Sequence, residues 1–395
     1  QDYENIRVAL AEVLKEAQQE SRQTEQALRF CIALLAYWEV RGYLREGLNM
    51  TEQALSSTRP VALSLRAQAF YGAGFLALML DDNQRAEDFL RQCQLIFRET
   101  GDRVGMLNIL RLQANLALVK NNYKIARRLF EEALTIYQER GEAQKVVATR
   151  EALAQVAMAQ GDYTRARALL TENLTRSRES GEVYAIAYPL YYLARNYFLS
   201  REDLSAARAL AEESLASFKS VGNRRFSAYV LSLLGQIALF EEEAGEEKDA
   251  RGFLEESLDI FQSMEERSGT AATLIALARL KTNHDEYKEA QDDYKECWKL
   301  LQVIGAKELI AMCLEGAALL AAKQEKLEQA AQFWGNAATM RATIVAPLPP
   351  VYRATYLSLV TQVRQSLGEE QFQEYWSRGH QTSWEQLDFV HLLEL

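Results

Sequence analysis

The sequence predicts an all-α fold: a right-handed solenoid of about eight helix pairs with a period near 40 residues, followed by C-terminal capping helices. Three observations support this fold. Small residues recur at one helical phase, glycines follow with nearly the same period, and the alternating β-branched runs typical of strands are not found. The composition is dominated by Ala, Leu, Glu, Arg and Gln, which favour helices.

The column of small residues sets the register of the repeats. Its members are separated by 39, 40, 40, 41, 43, 40 and 40 residues, and they are Gly47, Ala86, Ala126, Ala166, Ala207, Ala250, Ala290 and Ala330. A bulky apolar residue follows four positions later in most units, as at Phe130 and Leu170, and a second small or compact residue seven positions later. Positions i, i+4 and i+7 share one stripe of a helix, so this column marks the second helix (B) of each pair.

The first helix (A) of each pair carries its own small residue. It stands twelve positions before most members of the column, as at Gly74, Ala114 and Ala154, where we expect the two backbones of a pair to approach closely. Glycines that can adopt the left-handed conformation are expected to end the B helices, and they are Gly101, Gly141, Gly181, Gly222 and Gly305. Glu265 occupies that place in the sixth unit.

This pattern of small, aromatic and small residues resembles the tetratricopeptide repeat (TPR) and covers residues 24–345. The period near 40 residues exceeds the 34 residues of the commonest form of this repeat, which implies helices about one turn longer. Residues 1–23 are expected to form an N-terminal helix that joins a missing upstream module. Residues 346–395 are expected to form a Pro-rich turn and capping helices, in which the apolar stripe of Val351–Ser366, including Tyr352, covers the end of the last repeat. Ser383 is expected to open a final helix through a capping box with Gln386.

Charge and cysteine usage restrict the partners and the compartment. The net charge of −10 and the pI near 5.2 argue against a general nucleic-acid or anionic-membrane surface. The four cysteines are far apart and fall in predicted helices, so we expect buried, reduced thiols in a cytoplasmic protein rather than disulfides. No apolar stretch of twenty residues and no signal peptide are found.

Motifs for chemistry are nearly missing. The sequence has no phosphate-binding loop and no GxGxxG or GxSxG motif, and its three histidines have no partner at metal-ligand spacing. We therefore expect no enzyme activity, no metal and no cofactor. The acidic run of residues 241–249 stretches one repeat and is interpreted as a solvated loop rather than a cation or partner site.

The A helices of such an array line its concave groove, which makes their polar residues the candidate ligand site. Arg, Asn, Gln and Tyr side chains can hold a peptide, a protein segment or a small-molecule inducer by hydrogen bonds. The alternative is that these residues only make the groove soluble. The candidates are Tyr71, Arg111, Asn115, Glu151, Gln155, Tyr188, Tyr191, Arg195, Tyr229, Ser232, Gln236 and Arg279.

Two further groups of residues form a distinctive pattern. One lies near the end of the sequence, and its members are Trp334, Gly335, Ala337, Arg341, Ala346, Pro347, Pro349, Pro350, Leu367, Gly368, Glu369, Phe372, Trp376 and Gly379. The other lies in the first pair and contains Tyr37, Trp38, Gly42, Arg45 and Glu46. They resemble, respectively, the C-terminal segment and the first helix pair of bacterial STAND-type NTPase regulators, including LuxR-type multidomain regulators.

The resemblance implies a sensor module that holds an upstream NTPase of the same polypeptide inactive until an inducer binds. The sequence has no P-loop, winged helix or helix-turn-helix, so nucleotide hydrolysis and DNA binding are not implied for it. A free-standing TPR peptide receptor or adaptor is the alternative.

Overall fold

A computed structural model describes residues 2–181, 183–241 and 246–395, and within these ranges it contains twenty helices and no strand. The helices are α1 (Asp2–Glu16), α2 (Ser21–Arg41), α3 (Leu44–Leu55), α4 (Leu63–Met79), α5 (Asn83–Thr100), α6 (Arg103–Val119), α7 (Tyr123–Glu139), α8 (Ala143–Ala159), α9 (Tyr163–Ser180), α10 (Val183–Ser200), α11 (Leu204–Ser220), α12 (Arg224–Ala238), α13 (Glu246–Ser263), α14 (Arg267–Asn283), α15 (Tyr287–Ile304), α16 (Lys307–Lys323), α17 (Leu327–Ile344), α18 (Pro350–Leu367), α19 (Glu369–Gln381) and α20 (Phe389–Glu394). The eight predicted pairs are α2–α3 through α16–α17.

The predicted register of the pairs is confirmed. Every member of the small-residue column is buried, from Gly47 to Ala330, and each lies on the B helix of its pair. The small residues of the A helices are buried as well, and a Cβ on Gly74 would lie 3.6 Å from the carbonyl oxygen of Ala86. The two backbones of a pair therefore approach where the sequence places its smallest residues, because a larger side chain would separate them.

The ends of the helices are fixed by side chains and backbone conformations that repeat with the units. Gly101, Gly141, Gly181, Gly222 and Gly305 all have a positive φ, as expected for residues that end the B helices, and Glu265 also adopts a φ of 54°. Within the repeats, aspartate or asparagine side chains accept a backbone N–H in the first turn of six helices, and these residues are Asp82, Asp102, Asn122, Asp162, Asp203 and Asn223.

The array bends far enough for its beginning to meet its sixth and seventh pairs. Arg45 forms an ion pair of 3.3 Å with Glu265, although 220 positions separate the two residues. The carboxylate of Asp81, in the turn between α4 and α5, accepts hydrogen bonds from the backbone N–H (2.9 Å) and the hydroxyl (2.7 Å) of Ser268. Helices α2 and α12 are also in contact. The concave faces of the pairs therefore surround a common interior.

Residues 346–352, here called the strap, run into this interior. Ala346 and Val351 are buried, and Pro347 packs at the turn after α8, where a Cβ on Gly161 would lie 2.9 Å from its Cγ atom. The hydroxyl of Tyr352 donates to Oε1 of Gln236 at 3.2 Å. The expectation that Tyr352 covers the end of the last repeat is therefore wrong, since its ring is buried against the A helices of the middle pairs.

Helices α18 to α20 cover the last pair. Helix α19 crosses α17 at two glycines, and the amide of Asn336 donates to the carbonyl oxygens of Gly379 (2.7 Å) and Thr382 (3.1 Å). The predicted capping box at Ser383 is wrong. Residues 382–388 form a bend and a turn, and α20 begins only at Phe389, because Asp388 accepts the backbone N–H of His391 and acts as its N-cap.

Two further expectations concern the whole chain. The four cysteines are buried and unpaired, as expected. Over the ranges that the structure describes, no helix is both long enough and apolar enough to cross a membrane. Of the acidic run, residues 242–245 and the side chains of 246–249 lie outside the described residues, so the interpretation of the run as a solvated loop stays a prediction.

Candidate functional site

A cavity of about 1200 Å³ lies inside the ring of helix pairs. The A helices α6, α8, α10, α12, α14 and α16 provide most of its wall, and Pro347, Pro349 and Tyr352 of the strap complete it. Ten of the twelve candidate residues line this cavity: Arg111, Asn115, Glu151, Gln155, Tyr188, Tyr191, Arg195, Tyr229, Ser232 and Gln236. The helical spacing therefore selected residues that share one interior surface.

The other two candidates lie behind the wall. Tyr71 accepts a hydrogen bond of 3.2 Å from the guanidinium of Arg111 and so positions a residue that does line the cavity. Arg279 is covered by the strap, because its guanidinium carbon lies 4.2 Å from the centre of the Tyr352 ring. An A-helix position that faces the interior can therefore still be closed off by a distant part of the chain.

A buried polar cluster, here called the closure network, was not anticipated from the sequence. It lies where the beginning of the array meets the sixth and seventh pairs, and its members are Glu39, Asp81, Arg225, Tyr229, Glu266 and Ser268. The guanidinium of Arg225 donates to the hydroxyl of Tyr229 and to Oε1 of Glu266, both at 3.2 Å. The Tyr229 hydroxyl donates to the same carboxylate oxygen.

The closure network gathers three carboxyl groups around one arginine. Burial raises the pKa of Glu266, Asp81 and Glu39, and the charge of Arg225 opposes that rise at each of them. The spacing of 41 between Arg225 and Glu266 is one repeat, which is the only signal in the sequence that relates them. Both stand at the beginning of an A helix, outside the positions that the sequence predicts to face the groove.

Two charged residues of the wall, Arg195 and Glu308, stand without a partner. Arg195, on α10, lines the cavity and makes no hydrogen bond or ion pair with any residue that the structure describes. Glu308, in the first turn of α16, also lines the cavity and likewise lacks such a partner among the described residues. A charged group in a protein interior is normally paired, so these two groups are available to a ligand.

Glu151 is another ionisable group of the wall without a partner. It is 8 % exposed, and its Oε1 atom is buried without a hydrogen bond in the part of the chain that is described. Burial raises the pKa of Glu151 to about 8. Near neutral pH this group is therefore mostly protonated and can donate a hydrogen bond into the cavity.

We expect Glu151→Gln to change the pH dependence of stability. The pKa is raised on folding from about 4.3 in an unfolded chain, so the stabilising contribution of wild-type Glu151 is present at low pH and is lost as the pH rises towards 8. Glutamine does not titrate. The free energy of unfolding of the variant should rise by about 3 to 4 kcal/mol relative to that of wild type between pH 5 and pH 8.

Urea unfolding at pH 5 and pH 8 measures this gain. The exposed Glu132→Gln on α7 is the control, and it should show no pH-dependent difference from wild type. If the free energies of unfolding of Glu151→Gln and wild type differed by the same amount at both values of pH, Glu151 would be ionised in the folded protein.

Tyrosines give the cavity an amphipathic wall. Tyr123, Tyr163, Tyr188, Tyr191 and Tyr192 line it, and the edges and faces of Tyr188 and Tyr191 contact Phe226. Burial raises the pKa of Tyr191 and Tyr192, so both hydroxyls stay protonated. The rings offer apolar contact and the hydroxyls offer hydrogen bonds, a combination that suits peptides and small polar molecules.

Metal and catalytic chemistry find little support in the side chains. Among the described residues, no group of three or more His, Cys, Asp or Glu side chains is arranged to hold a metal ion. Of the three histidines, His380 accepts or donates a hydrogen bond of 2.7 Å with Thr339 on the capping surface, far along the chain from the cavity wall. The expectation that the chain is not an enzyme stays a prediction.

Solved structures share the fold. No protein-family model matches the chain, and no curated protein matches its sequence. A Rap protein complexed with competence and sporulation factor is similar with a TM-score of 0.62 at 17% identity, over 86% of this chain and 98% of that chain. The Rap conjugation gene regulator of plasmid pLS20, in complex with a Phr peptide, is similar with a TM-score of 0.60 at 11% identity, over 87% of this chain and 98% of that one.

These likenesses show that the fold is a TPR-like α-solenoid, as the sequence predicts. A STAND protein with a tetratricopeptide repeat sensor from Pyrococcus horikoshii is similar over 77% of this chain and 49% of that chain, with a TM-score of 0.45 at 15% identity. That likeness is too low to carry an argument. Membership of the STAND-type regulators therefore stays a prediction from the sequence.

Proposed function

We propose that the protein is a sensor that binds a short peptide or a small polar molecule in its central cavity. The observation that carries the proposal is the pair of unpartnered charges, Arg195 and Glu308, on the wall of a cavity of about 1200 Å³. Charged groups without partners lower stability, and a ligand that pairs them repays this cost on binding. The tyrosine rings supply the apolar contact that such a ligand also needs.

The size and closure of the cavity favour a short peptide or a small molecule over a folded protein. The contacts of Arg45 with Glu265 and of Asp81 with Ser268 join the two sides of the ring. A folded partner would have to break them to reach the groove. The Rap regulator of plasmid pLS20 was solved with a peptide, which supports a peptide as the class of ligand for this fold.

We further propose that the array regulates an upstream NTPase of the same polypeptide. The proposal is supported by the resemblance of the residues from Trp334 to Gly379 to the ends of STAND-type regulators. A ligand can switch such a protein only if it binds the closed ring and an opened form with different affinities, and the closure network is where those two forms would differ. The coding sequence upstream of Gln1 tests the proposal, since a P-loop there supports it. An initiating Met there would support a free-standing peptide receptor instead.

Filling the cavity tests the binding function directly. Ala148 lies on α8 in the cavity wall, and Ala148→Trp places a large ring in the interior. We expect at least one member of a panel of sugars, nucleotides, organic acids, amino acids and short peptides to raise the melting temperature of wild type but not of this variant. A ligand at about 100 times its Kd stabilises a protein by about 2.7 kcal/mol, which a thermal scan detects.

The matched control places the same ring outside the cavity. Leu95 is 56% exposed on α5, and Leu95→Trp should respond to the panel as wild type does. Calorimetric titration then gives the affinity of each compound that scored. If no compound stabilises wild type, or if Ala148→Trp responds equally, the cavity is not the binding site.

A further inference from the structure

Two unpartnered charges on the cavity wall, those of Arg195 and Glu308, have opposite signs. Arg195 and Glu308 are close enough for the carboxylate to act on the guanidinium electrostatically. They nevertheless form no ion pair within 4.0 Å. Helices α10 and α16 therefore present a positive and a negative group to the same cavity without pairing them.

One further charge near these two groups is already neutralised within the protein. Arg341, whose charge also acts in this region, donates two hydrogen bonds of 2.8 and 2.9 Å to the carboxylate of Glu315. This pair is buried, and each carboxylate oxygen of Glu315 accepts one of the two hydrogen bonds. Arg353, whose charge also acts on Tyr163, donates a hydrogen bond of 2.8 Å to the carbonyl oxygen of Leu348. Arg195 and Glu308 are thus the described charges that line the cavity here without a partner.

Two tyrosines complete the region. Tyr123 and Tyr163 are each within electrostatic range of both Arg195 and Glu308. The hydroxyl of Tyr123 accepts a hydrogen bond of 2.8 Å from the amide of Asn121, which leaves its own hydrogen free to donate. A ligand held between the two charges would therefore meet a hydroxyl donor and two aromatic rings.

We propose that this region, here called the zwitterion site, binds a ligand that carries a carboxylate and an ammonium group. The carboxylate pairs with the guanidinium of Arg195, and the ammonium group pairs with the carboxylate of Glu308. Free amino acids and short peptides with both termini free have this chemistry. The inference rests on the proposed binding function and specifies the class of ligand.

The geometry explains why both charges are required. A ligand with one charge would leave the opposite side-chain charge desolvated and unpaired, which costs binding energy. A neutral ligand would leave both unpaired. The site should consequently discriminate between ligands by their end groups more strongly than by their side chains.

Blocking the end groups of a ligand tests the inference. The probes are an equimolar mixture of the twenty amino acids, a random dipeptide mixture and a random tetrapeptide mixture. Each mixture is prepared in four forms: free, N-acetylated, C-amidated and blocked at both ends. Equilibrium dialysis followed by mass spectrometry measures how much of each form the protein retains, and the three lengths show whether the ligand is an amino acid or a peptide.

We expect wild type to retain free forms about tenfold more strongly than either singly blocked form, as for the loss of one charge-assisted contact. Arg195→Gln should reduce the discrimination against C-amides to about twofold or less and keep that against N-acetyl forms. Glu308→Gln should reduce the discrimination against N-acetyl forms to about twofold or less and keep that against C-amides. The exposed changes Arg128→Gln on α7 and Glu289→Gln on α15 are matched controls that should behave as wild type.

The outcomes separate this inference from the proposed function. Equal retention of free and blocked forms, abolished by Ala148→Trp, would overturn the zwitterion site and leave the cavity as a binding site. The zwitterion site would also be overturned if the protein retained none of the mixtures while other compounds of the panel stabilised wild type. The cavity would then remain a binding site. Retention that survives in Ala148→Trp would overturn both, because the ligand would then bind outside the cavity.

Discussion

Replacement of Arg225 by Met should destabilise the protein by about 3 to 5 kcal/mol at pH 8. Arg225 is 8% exposed and is the cation that Glu39, Asp81 and Glu266 share. Methionine has a similar length and fills most of the space, so the loss comes from the charge rather than from a void. Three carboxyl groups, of which Glu266 is buried and the other two are half-buried, would then lie near one another without a counter-charge.

The loss should shrink as the pH falls. Burial already raises the pKa of each of the three carboxyl groups, and Arg225 opposes the rise, so its removal raises these pKa values further. For an acid whose pKa is raised on folding, the stabilising contribution is present below the unfolded pKa and is lost as the pH rises through the folded value. Arg225→Met should therefore approach wild type in stability near pH 4.5.

Adjacent Arg224 provides the matched control. It is exposed on the same turn of α12 and donates a single hydrogen bond of 3.2 Å to the hydroxyl of Ser263. Arg224→Met should change the free energy of unfolding by less than about 0.5 kcal/mol at either pH. Urea unfolding at pH 4.5 and pH 8 makes the comparison. A loss for Arg225→Met that does not depend on pH would mean that the three carboxyl groups are not coupled to it.

The repeats were predictable from the sequence because they depend on local geometry. A small residue where two helix backbones approach, as at Ala126 and Ala114, has a cause within its own pair, and it recurs with every pair. The same argument placed Arg195 and Gln236 on the interior surface, since a helix of known phase has a known inner face. Ten of twelve candidate positions followed from that phase alone.

Closure of the ring was not predictable in the same way. The contact of Asp81 with Ser268 depends on the small rotation between successive pairs, summed over five of them. No single repeat contains that information. Arg225 and Glu266 were missed for this reason, because each has a partner only once the two sides of the array meet.

The strap shows a second limit of the argument from periodicity. Residues 346–352 have no counterpart in the repeats, and their proline content indicated only a turn. Tyr352 was assigned, with the apolar stripe of the helix that begins at Val351, to the nearest unpaired surface, the end of the last repeat. The structure buries Val351 and Tyr352 in the interior of the middle pairs instead, which also removes Arg279 from the cavity. An apolar stripe identifies a buried face but not the surface that buries it.

Replacement of Gly379 by Ala should detach the C-terminal cap from the last pair. A Cβ at position 379 would lie 2.0 Å from the carbonyl oxygen of Gln332, and one at Gly335 would lie 2.2 Å from the carbonyl oxygen of Trp376. The contacts are with backbone, which cannot rotate away, so α17 and α19 would have to separate. We expect a loss of about 3 kcal/mol or more, the upper range for overpacking.

A loss of stability in Gly379→Ala is informative because glycine-to-alanine changes within helices normally raise stability. Gly252 is exposed within α13, and a Cβ there would meet nothing within 4 Å, so Gly252→Ala should stabilise the protein by about 0.5 to 1 kcal/mol. The same substitution at Gly379 should lower the melting temperature and open the 367–368 junction between α18 and α19 to limited proteolysis.

Terminal repeats depend on a cap, so the Gly379→Ala protein should also self-associate in light scattering. If both variants raised the melting temperature, the two helices would have to cross with more space between their backbones than the structure shows.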